Sequence, residues 1–153
     1  MVITTLFVIL FGGIALQAQQ EMNLYVNVGL VTDKEFTFDP FLWSGGVSLD
    51  IHLGQQLMLS PECNVIFEGF KFDTMWLQPG VLVNLKLSSL FVGAGITKRF
   101  KLTDNVFASE LLLKLNGGFS GKKYRLVAYI ETPFDNIFGK YAILLGAQLG
   151  FVF

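Results

Sequence analysis

The chain has 153 residues, enough for one domain, and its formal net charge of -1 gives no electrostatic reason to bind nucleic acid. Hydrophobic residues make up 52% of the sequence and charged residues only 15%. Beyond the N-terminus, no apolar run approaches the roughly 20 residues of a membrane-spanning helix, which excludes such helices there. The composition therefore leaves two interpretations, a soluble domain with an unusually apolar core or a barrel of membrane-crossing strands.

Residues 1–18 are interpreted as a secretory signal peptide, which leaves 19–153 as the predicted mature domain. The apolar run Leu6 to Leu16 has the length of a signal's hydrophobic region, and the small residue Ala18 precedes three polar residues. No Lys or Arg comes before this run, which departs from the usual pattern, and a buried N-terminal helix is the alternative. Cys63 is the only cysteine, so no disulfide can form within the chain.

Eight apolar runs with a period of two residues follow the predicted signal. A period of two indicates β-strands rather than helices. Most runs are close to the 9–11 residues that a tilted strand needs to cross a membrane. The predicted strands cover 22–30, 43–53, 57–68, 75–87, 90–99, 105–115, 122–131 and 140–153.

The breaks between these strands alternate in length along the chain. The short ones are Gly54 to Gln56, Ser88-Ser89, and Asn116 to Gly118, whose two glycines accept the positive φ of a hairpin turn. The breaks after the first, third, fifth and seventh strands are longer. Short turns at one end and longer loops at the other are typical of membrane barrels. The predicted fold is therefore all-β, an eight-stranded antiparallel up-and-down transmembrane β-barrel.

Charged residues lie on one face of these strands, opposite a continuous apolar face. An Arg or Lys exposed to lipid at the bilayer centre costs about 2–4 kcal/mol, so the charged face is predicted to point inward. An eight-stranded barrel is just wide enough to be filled by side chains, and buried charges persist when they are paired. We expect a paired polar plug, and the alternative is a path for protons or ions. The predicted interior cluster is Asp50, Glu62, Lys86, Glu110, Lys114 and Arg125.

About residues 21–153 contain the eight predicted strands, the loops of alternating length and the glycine-rich segments VGAGI and LLGAQLGF. In these features the chain resembles the small eight-stranded outer-membrane barrels of Gram-negative bacteria, of the OmpA/OmpX type. The resemblance implies an outer-membrane location in contact with lipid, with the short turns in the periplasm. It also implies that the C-terminal strand is the signal read by the barrel-assembly machinery. The residues that carry this pattern are Tyr141, Leu149, Phe151 and Phe153.

No catalytic, metal or cofactor site is predicted, and the protein is not expected to be an enzyme. The single histidine, His52, lies two residues before the short turn at Gly54, at the wrong end for a substrate in the outer leaflet. No glycine-rich phosphate loop and no metal-ligand spacing occurs in the sequence. The alternatives are a lipid-modifying outer-membrane enzyme and a soluble lipocalin-like barrel with its apolar faces turned inward around a ligand.

The favoured function is a structural or surface-interaction role through the outer loops. Residues 31–42 and 132–139 mix aromatic and acidic side chains, a composition suited to binding, although the sequence identifies no ligand or partner. The alternative for these loops is that they only cap the barrel.

Overall fold

The computed structural model describes residues 22–33, 42–69, 71–102, 109–135 and 144–153, so the predicted signal peptide lies outside the described residues. Each strand pairs antiparallel with the next, and the last pairs with the first, which closes the barrel. This confirms the predicted eight-stranded antiparallel up-and-down fold. No described residue belongs to a helix long and apolar enough to cross a membrane. The strands are β1 (Met22–Asp33), β2 (Leu42–His52), β3 (Leu57–Glu68), β4 (Lys71–Leu87), β5 (Leu90–Leu102), β6 (Ser109–Ser120), β7 (Tyr124–Pro133) and β8 (Leu144–Val152).

An apolar belt covers the outside of the barrel, because alternate side chains of every strand point outward. Contiguous apolar surface on this scale is far larger than a soluble monomer exposes, and lipid is the medium that suits it. The orientation is the reverse of the lipocalin-like alternative, in which the apolar faces would line the interior. The belt includes Leu24, Val26, Val28, Leu30, Val81, Val83, Leu85, Val92, Ile96, Leu126 and Ile130, all exposed.

Three connections, 53–56, 88–89 and 121–123, lie together at one end of the barrel, which we call the turn-side end. The other end, where β1, β3, β5 and β7 finish, is the loop-side end. One predicted loop is wrong, because β4 begins at Lys71, inside the break expected over residues 69–74. Gly69 has φ +58, which allows a tight reversal, and Glu68 pairs with Lys71 after a register shift at Phe67.

The predicted hairpin turn at Asn116 to Gly118 is also wrong. These residues lie inside β6, which continues to Ser120, and the chain reverses at residues 121–123. A Cβ added at Gly118 would overlap the Leu126 carbonyl oxygen and would lie 2.9 Å from the Phe91 ring. Glycine is therefore required here for close packing inside the sheet, and not for the backbone conformation of a turn.

Two adjacent glycines test this interpretation. Gly118→Ala is expected to lower the free energy of unfolding by about 3 kcal/mol, because the new methyl group has no space. Gly117→Ala is the matched control, since its Cβ would meet only the Phe91 carbonyl oxygen, at 3.4 Å. Urea-induced unfolding in detergent micelles measures both variants. Equal stability of the two variants would contradict a packing role for Gly118.

Candidate functional site

Buried charged side chains fill the interior of the barrel and form the candidate site. All of them occupy inward-pointing strand positions, where an unpaired charge would be costly. They form two groups, the turn-side layer around Arg125 and the loop-side layer around Lys114. The buried charged residues are Asp50, Glu62, Lys114, Arg125 and Glu131, each no more than 7% exposed.

The turn-side layer is organised around the guanidinium group of Arg125. Its Nη1 donates to Asp50 Oδ1 and its Nη2 donates to Ser48 Oγ, both at 2.7 Å. The guanidinium carbon lies 4.7 Å from the centre of the Tyr25 ring, a cation–π contact. Asn27 Nδ2 donates to the same Ser48 hydroxyl at 2.9 Å. One cation on β7 is thus held by a carboxylate and a hydroxyl from β2 and by an aromatic face from β1.

Hydrogen bonds extend this layer around the wall of the barrel. Ser60 Oγ donates to Asp50 Oδ1 at 2.7 Å, and Asn84 Nδ2 donates to Ser60 Oγ at 2.9 Å. Asn116 Nδ2 then donates to Asn84 Oδ1 at 2.9 Å. The contacts run from β2 through β3 and β4 to β6, so polar side chains bridge the interior. The network therefore joins four strands through buried side chains.

The loop-side layer is organised around the ammonium group of Lys114. Its Nζ lies 2.6 Å from Glu62 Oε1 and 3.7 Å from Glu131 Oε1, and it sits 4.0 Å from the centre of the Tyr129 ring. Lys114 and Glu131 are direct partners in the pairing of β6 with β7. Glu62 reaches the same ammonium group from β3, on the far wall of the barrel.

Glu131 has further partners on two other strands. Arg99 Nη2 donates to Glu131 Oε2 at 3.1 Å, and Gln78 Nε2 donates to Glu131 Oε1 at 2.8 Å. Gln78 is held in turn by Thr97, whose hydroxyl lies 3.1 Å from the same amide nitrogen. The two layers together pair the carboxylates of Asp50, Glu62 and Glu131 with the cations of Arg99, Lys114 and Arg125.

Four of the six residues predicted as an interior cluster form two of these ion pairs, Asp50 with Arg125 and Glu62 with Lys114. The other two lie at opposite ends of the barrel. Lys86 is at the turn-side end, where its Nζ lies 3.3 Å from His52 Nε2.

The prediction that Glu110 belongs to the interior cluster needs correction, because its side chain is exposed at the loop-side end. The sequence placed Glu110 in the middle of a strand over residues 105–115, whereas β6 runs from Ser109 to Ser120. This shift along the chain moves Glu110 from the predicted strand centre to its rim.

Arg99, Glu131 and Gln78 were not part of the predicted cluster, although all three lie on the inward faces of their strands. The pairing of Lys114 with Glu131 follows directly from a β6–β7 turn at residues 121–123. The predicted turn at Asn116 to Gly118 would give a different register between β6 and β7. The contact between Lys114 and Glu131 could therefore not be predicted from it.

The chemistry available to this interior is that of buried ion pairs. Ser60 donates to Asp50, and its other contact is with the Asn84 amide, so the hydroxyl is part of the network. Within the described ranges, no group of three or more His, Cys, Asp or Glu side chains could hold a metal ion. Paired, buried charges of this kind fill the lumen of a small barrel.

A closed eight-stranded barrel with an apolar belt outside and ion pairs inside is a membrane barrel. No protein-family model and no curated protein matches the sequence.

Solved structures do match the fold. A structure titled "De novo design of transmembrane beta-barrels" is 13% identical, with 86% of this chain and 95% of that chain covered and a TM-score of 0.58. The designed barrel TMB2.3 is 16% identical, with 90% and 98% covered and a TM-score of 0.55. The N-terminal β-barrel domain of Pseudomonas aeruginosa OprF is 11% identical, with 88% and 100% covered and a TM-score of 0.52. These matches confirm the resemblance to small membrane barrels at the level of the fold.

Proposed function

We propose that the protein is an integral outer-membrane β-barrel with a closed interior and a structural or surface-interaction role at its loop-side end. The observation that carries the proposal is the distribution of charge and apolar surface. The buried ion pairs lie inside the wall, and the apolar belt lies outside it. Only a membrane-inserted barrel gives both faces a suitable environment.

The outer membrane is the location that the sequence supports. The predicted signal peptide over residues 1–18 would direct the chain out of the cytoplasm, and a strand barrel is the form that spans an outer membrane. The likeness to the OprF barrel domain supports the barrel fold on which this location depends. The short connections at the turn-side end would then face the periplasm, and the loop-side end would face the cell surface.

Contacts across the lumen support a closed interior. Arg125 on β7 binds Asp50 on β2, and Lys114 on β6 binds Glu62 on β3, so both pairs join walls that are not neighbours in the sheet. An eight-stranded barrel leaves no room for an aqueous channel beside such side chains. The same burial argues against an enzyme, since the buried carboxylates are already paired and lie away from the lipid surface.

The surface-interaction role rests on the loop-side aromatic and acidic residues of the sequence. At this end the structure describes Trp43 stacked on Phe67, with ring centres 4.7 Å apart. Both side chains lie on the outward face of adjacent strands, at the level where membrane barrels carry aromatic girdles. The girdle would fix the height of the loops above the membrane, and the binding partner would be met by the loops themselves.

Cell fractionation and gel mobility test the location and the fold together. Expressed with residues 1–18, the protein is expected in the outer-membrane fraction, and its mobility on gels is expected to change after boiling, because a closed barrel resists detergent. Recovery in the soluble periplasmic fraction, or identical mobility before and after boiling, would overturn the proposal.

We also propose that the barrel-assembly machinery reads the C-terminal strand, through the predicted signal residues Tyr141, Leu149, Phe151 and Phe153. Tyr141 lies outside the described residues. Phe151 and Phe153 are exposed, on the apolar outer face. On the same gels, deleting Phe153 is expected to lower the amount of assembled barrel more than deleting Thr37 from a predicted loop. Equal assembly of the two variants would remove the support for such a signal.

A further inference from the structure

A cup of about 740 Å³ opens at the turn-side end of the barrel. Its walls come from the start of β1 and from the β4–β5 and β6–β7 turns, and the buried Tyr25 ring lies at its base. The Tyr25 hydroxyl lies 3.4 Å from Ser120 Oγ, which ties the base to the wall. On its inner side, the same Tyr25 ring packs against the Arg125 guanidinium. Tyr25 is only 2% exposed, so its side chain separates the cup from the interior network.

The lining of the cup is basic and rich in hydroxyl groups. Lys86 and Lys122 contribute two ammonium groups, and neither forms an ion pair with a carboxylate among the described residues. Ser88, Ser89 and Ser120 contribute hydroxyl groups. No Asp or Glu lines the cup in the part of the chain that the structure describes. Ammonium and hydroxyl donors without a competing carboxylate are the groups that bind phosphate.

The rim of the cup borders the apolar belt. Leu87 and Leu90 flank the Ser88-Ser89 turn and are 62% and 60% exposed. Met22, which lines the cup, is 62% exposed. An inorganic anion would gain nothing from contact with these apolar side chains. A lipid, in contrast, would place its acyl chains along the leucines while its phosphate enters the cup.

From this arrangement we propose that the turn-side cup binds the phosphate group of an anionic phospholipid from the adjacent leaflet. The inference rests on the proposed insertion of the barrel in a membrane and adds a specific lipid contact to it. Lys86 is the inner cation, since it lies beside His52, and Lys122 is the outer cation on the exposed β6–β7 turn. The volume of the cup lies within the roughly 300–1,000 Å³ of small-ligand sites.

Lipid selectivity tests the proposal. The purified barrel is placed in mixed micelles with equal amounts of phosphatidylglycerol and phosphatidylcholine, and native mass spectrometry measures which lipid stays bound. The wild-type barrel is expected to retain phosphatidylglycerol. The double variant Lys86→Gln/Lys122→Gln is expected to bind it about 30-fold more weakly, since a lysine at a membrane surface contributes roughly fivefold in affinity. The variant Lys122→Gln alone, on an exposed turn, is expected to lose about fivefold.

The matched control removes two lysines from the other end of the barrel. Lys98 and Lys101 are exposed near the loop-side end of β5, so Lys98→Gln/Lys101→Gln changes the net charge equally. This variant is expected to retain phosphatidylglycerol as the wild type does. An equal loss in both double variants would overturn the cup, because the binding would then follow net charge alone.

A second arm separates a lipid phosphate from a free one. Inorganic phosphate is added to the barrel in uncharged detergent, and the backbone amide NMR signals of Ser89 and Ser120 are followed. Shifts with phosphate in a barrel that shows no lipid preference would overturn the lipid assignment and leave an ion site. The heat-dependent mobility of each variant reports insertion separately. A barrel that assembles but shows no preference for phosphatidylglycerol therefore contradicts this inference and leaves the proposed function supported.

Discussion

Replacing Arg125 with methionine is expected to lower the free energy of unfolding by about 5 kcal/mol, the upper part of the range for breaking a buried ion pair. The substitution leaves the Asp50 carboxylate, 1% exposed, with the Ser60 hydroxyl in place of a full positive charge. It also removes the donor to Ser48 and the cation that packs on the Tyr25 ring. Urea-induced unfolding in phospholipid vesicles, followed by the fluorescence of the two tryptophans in the sequence, measures the loss.

The matched control for this variant is Lys123→Met, on the exposed β6–β7 turn two residues earlier in the chain. Its effect is expected to stay within about 0.5 kcal/mol. Adding Asp50→Asn to Arg125→Met is expected to recover about 2–3 kcal/mol, because the uncompensated charge is then gone. Arg125→Lys keeps a cation, so it is expected to fall between the wild type and the methionine variant. Strict additivity of the Asp50 and Arg125 substitutions would mean that their pairing contributes nothing.

Replacing Lys114 with methionine is the second large effect, with an expected loss of about 3–5 kcal/mol. Lys114 Nζ donates a hydrogen bond to Glu62 Oε1 at 2.6 Å. Without the ammonium group, the Glu62 carboxylate is left buried opposite an apolar side chain. The same unfolding measurement applies, and the control is Lys98→Met, an exposed lysine on β5.

The rescue of Lys114→Met is expected to depend on which carboxylate is neutralised. Glu131 keeps Arg99 at 3.1 Å and Gln78 at 2.8 Å after the substitution, whereas Glu62 loses its cation. Glu62→Gln is therefore expected to restore about 2 kcal/mol in the Lys114→Met background, and Glu131→Gln is expected to lower stability further by leaving Arg99 unpaired. Equal rescue by both substitutions would mean that Lys114 is shared evenly between the two acids.

Period-two alternation in the sequence predicted the number of strands and the inward or outward direction of most side chains. Both follow from a physical constraint, because every outward position in a membrane must be apolar and the inward positions alone can hold charge. Asp50, Lys114 and Arg125 could therefore be placed inside before any contact was known. Which of them pair could not be predicted, because contacts across a lumen depend on the closure and register of the whole barrel.

The wrong strand limits of β6 follow from the interpretation of its glycines as turn residues. Asn116 to Gly118 has the sequence of a hairpin turn, yet in a crowded barrel glycine also appears where a strand or a side chain approaches closely. Sequence alone does not separate these two uses, and the error carried over to the strand limits. It placed Glu110 at the middle of a strand instead of its exposed end, and it concealed the pairing of Lys114 with Glu131.

The division of charge between the two halves of the chain has a consequence for assembly. The buried acids Asp50 and Glu62 lie on β2 and β3, and the cations that bind them, Arg125 and Lys114, lie on β7 and β6. In a flat sheet with strands about 4.8 Å apart, β2 and β7 would stand about 24 Å from each other, far beyond the reach of an ion pair. Neither half of the chain can therefore neutralise itself. The interior charges balance only in the closed barrel, once its edges meet.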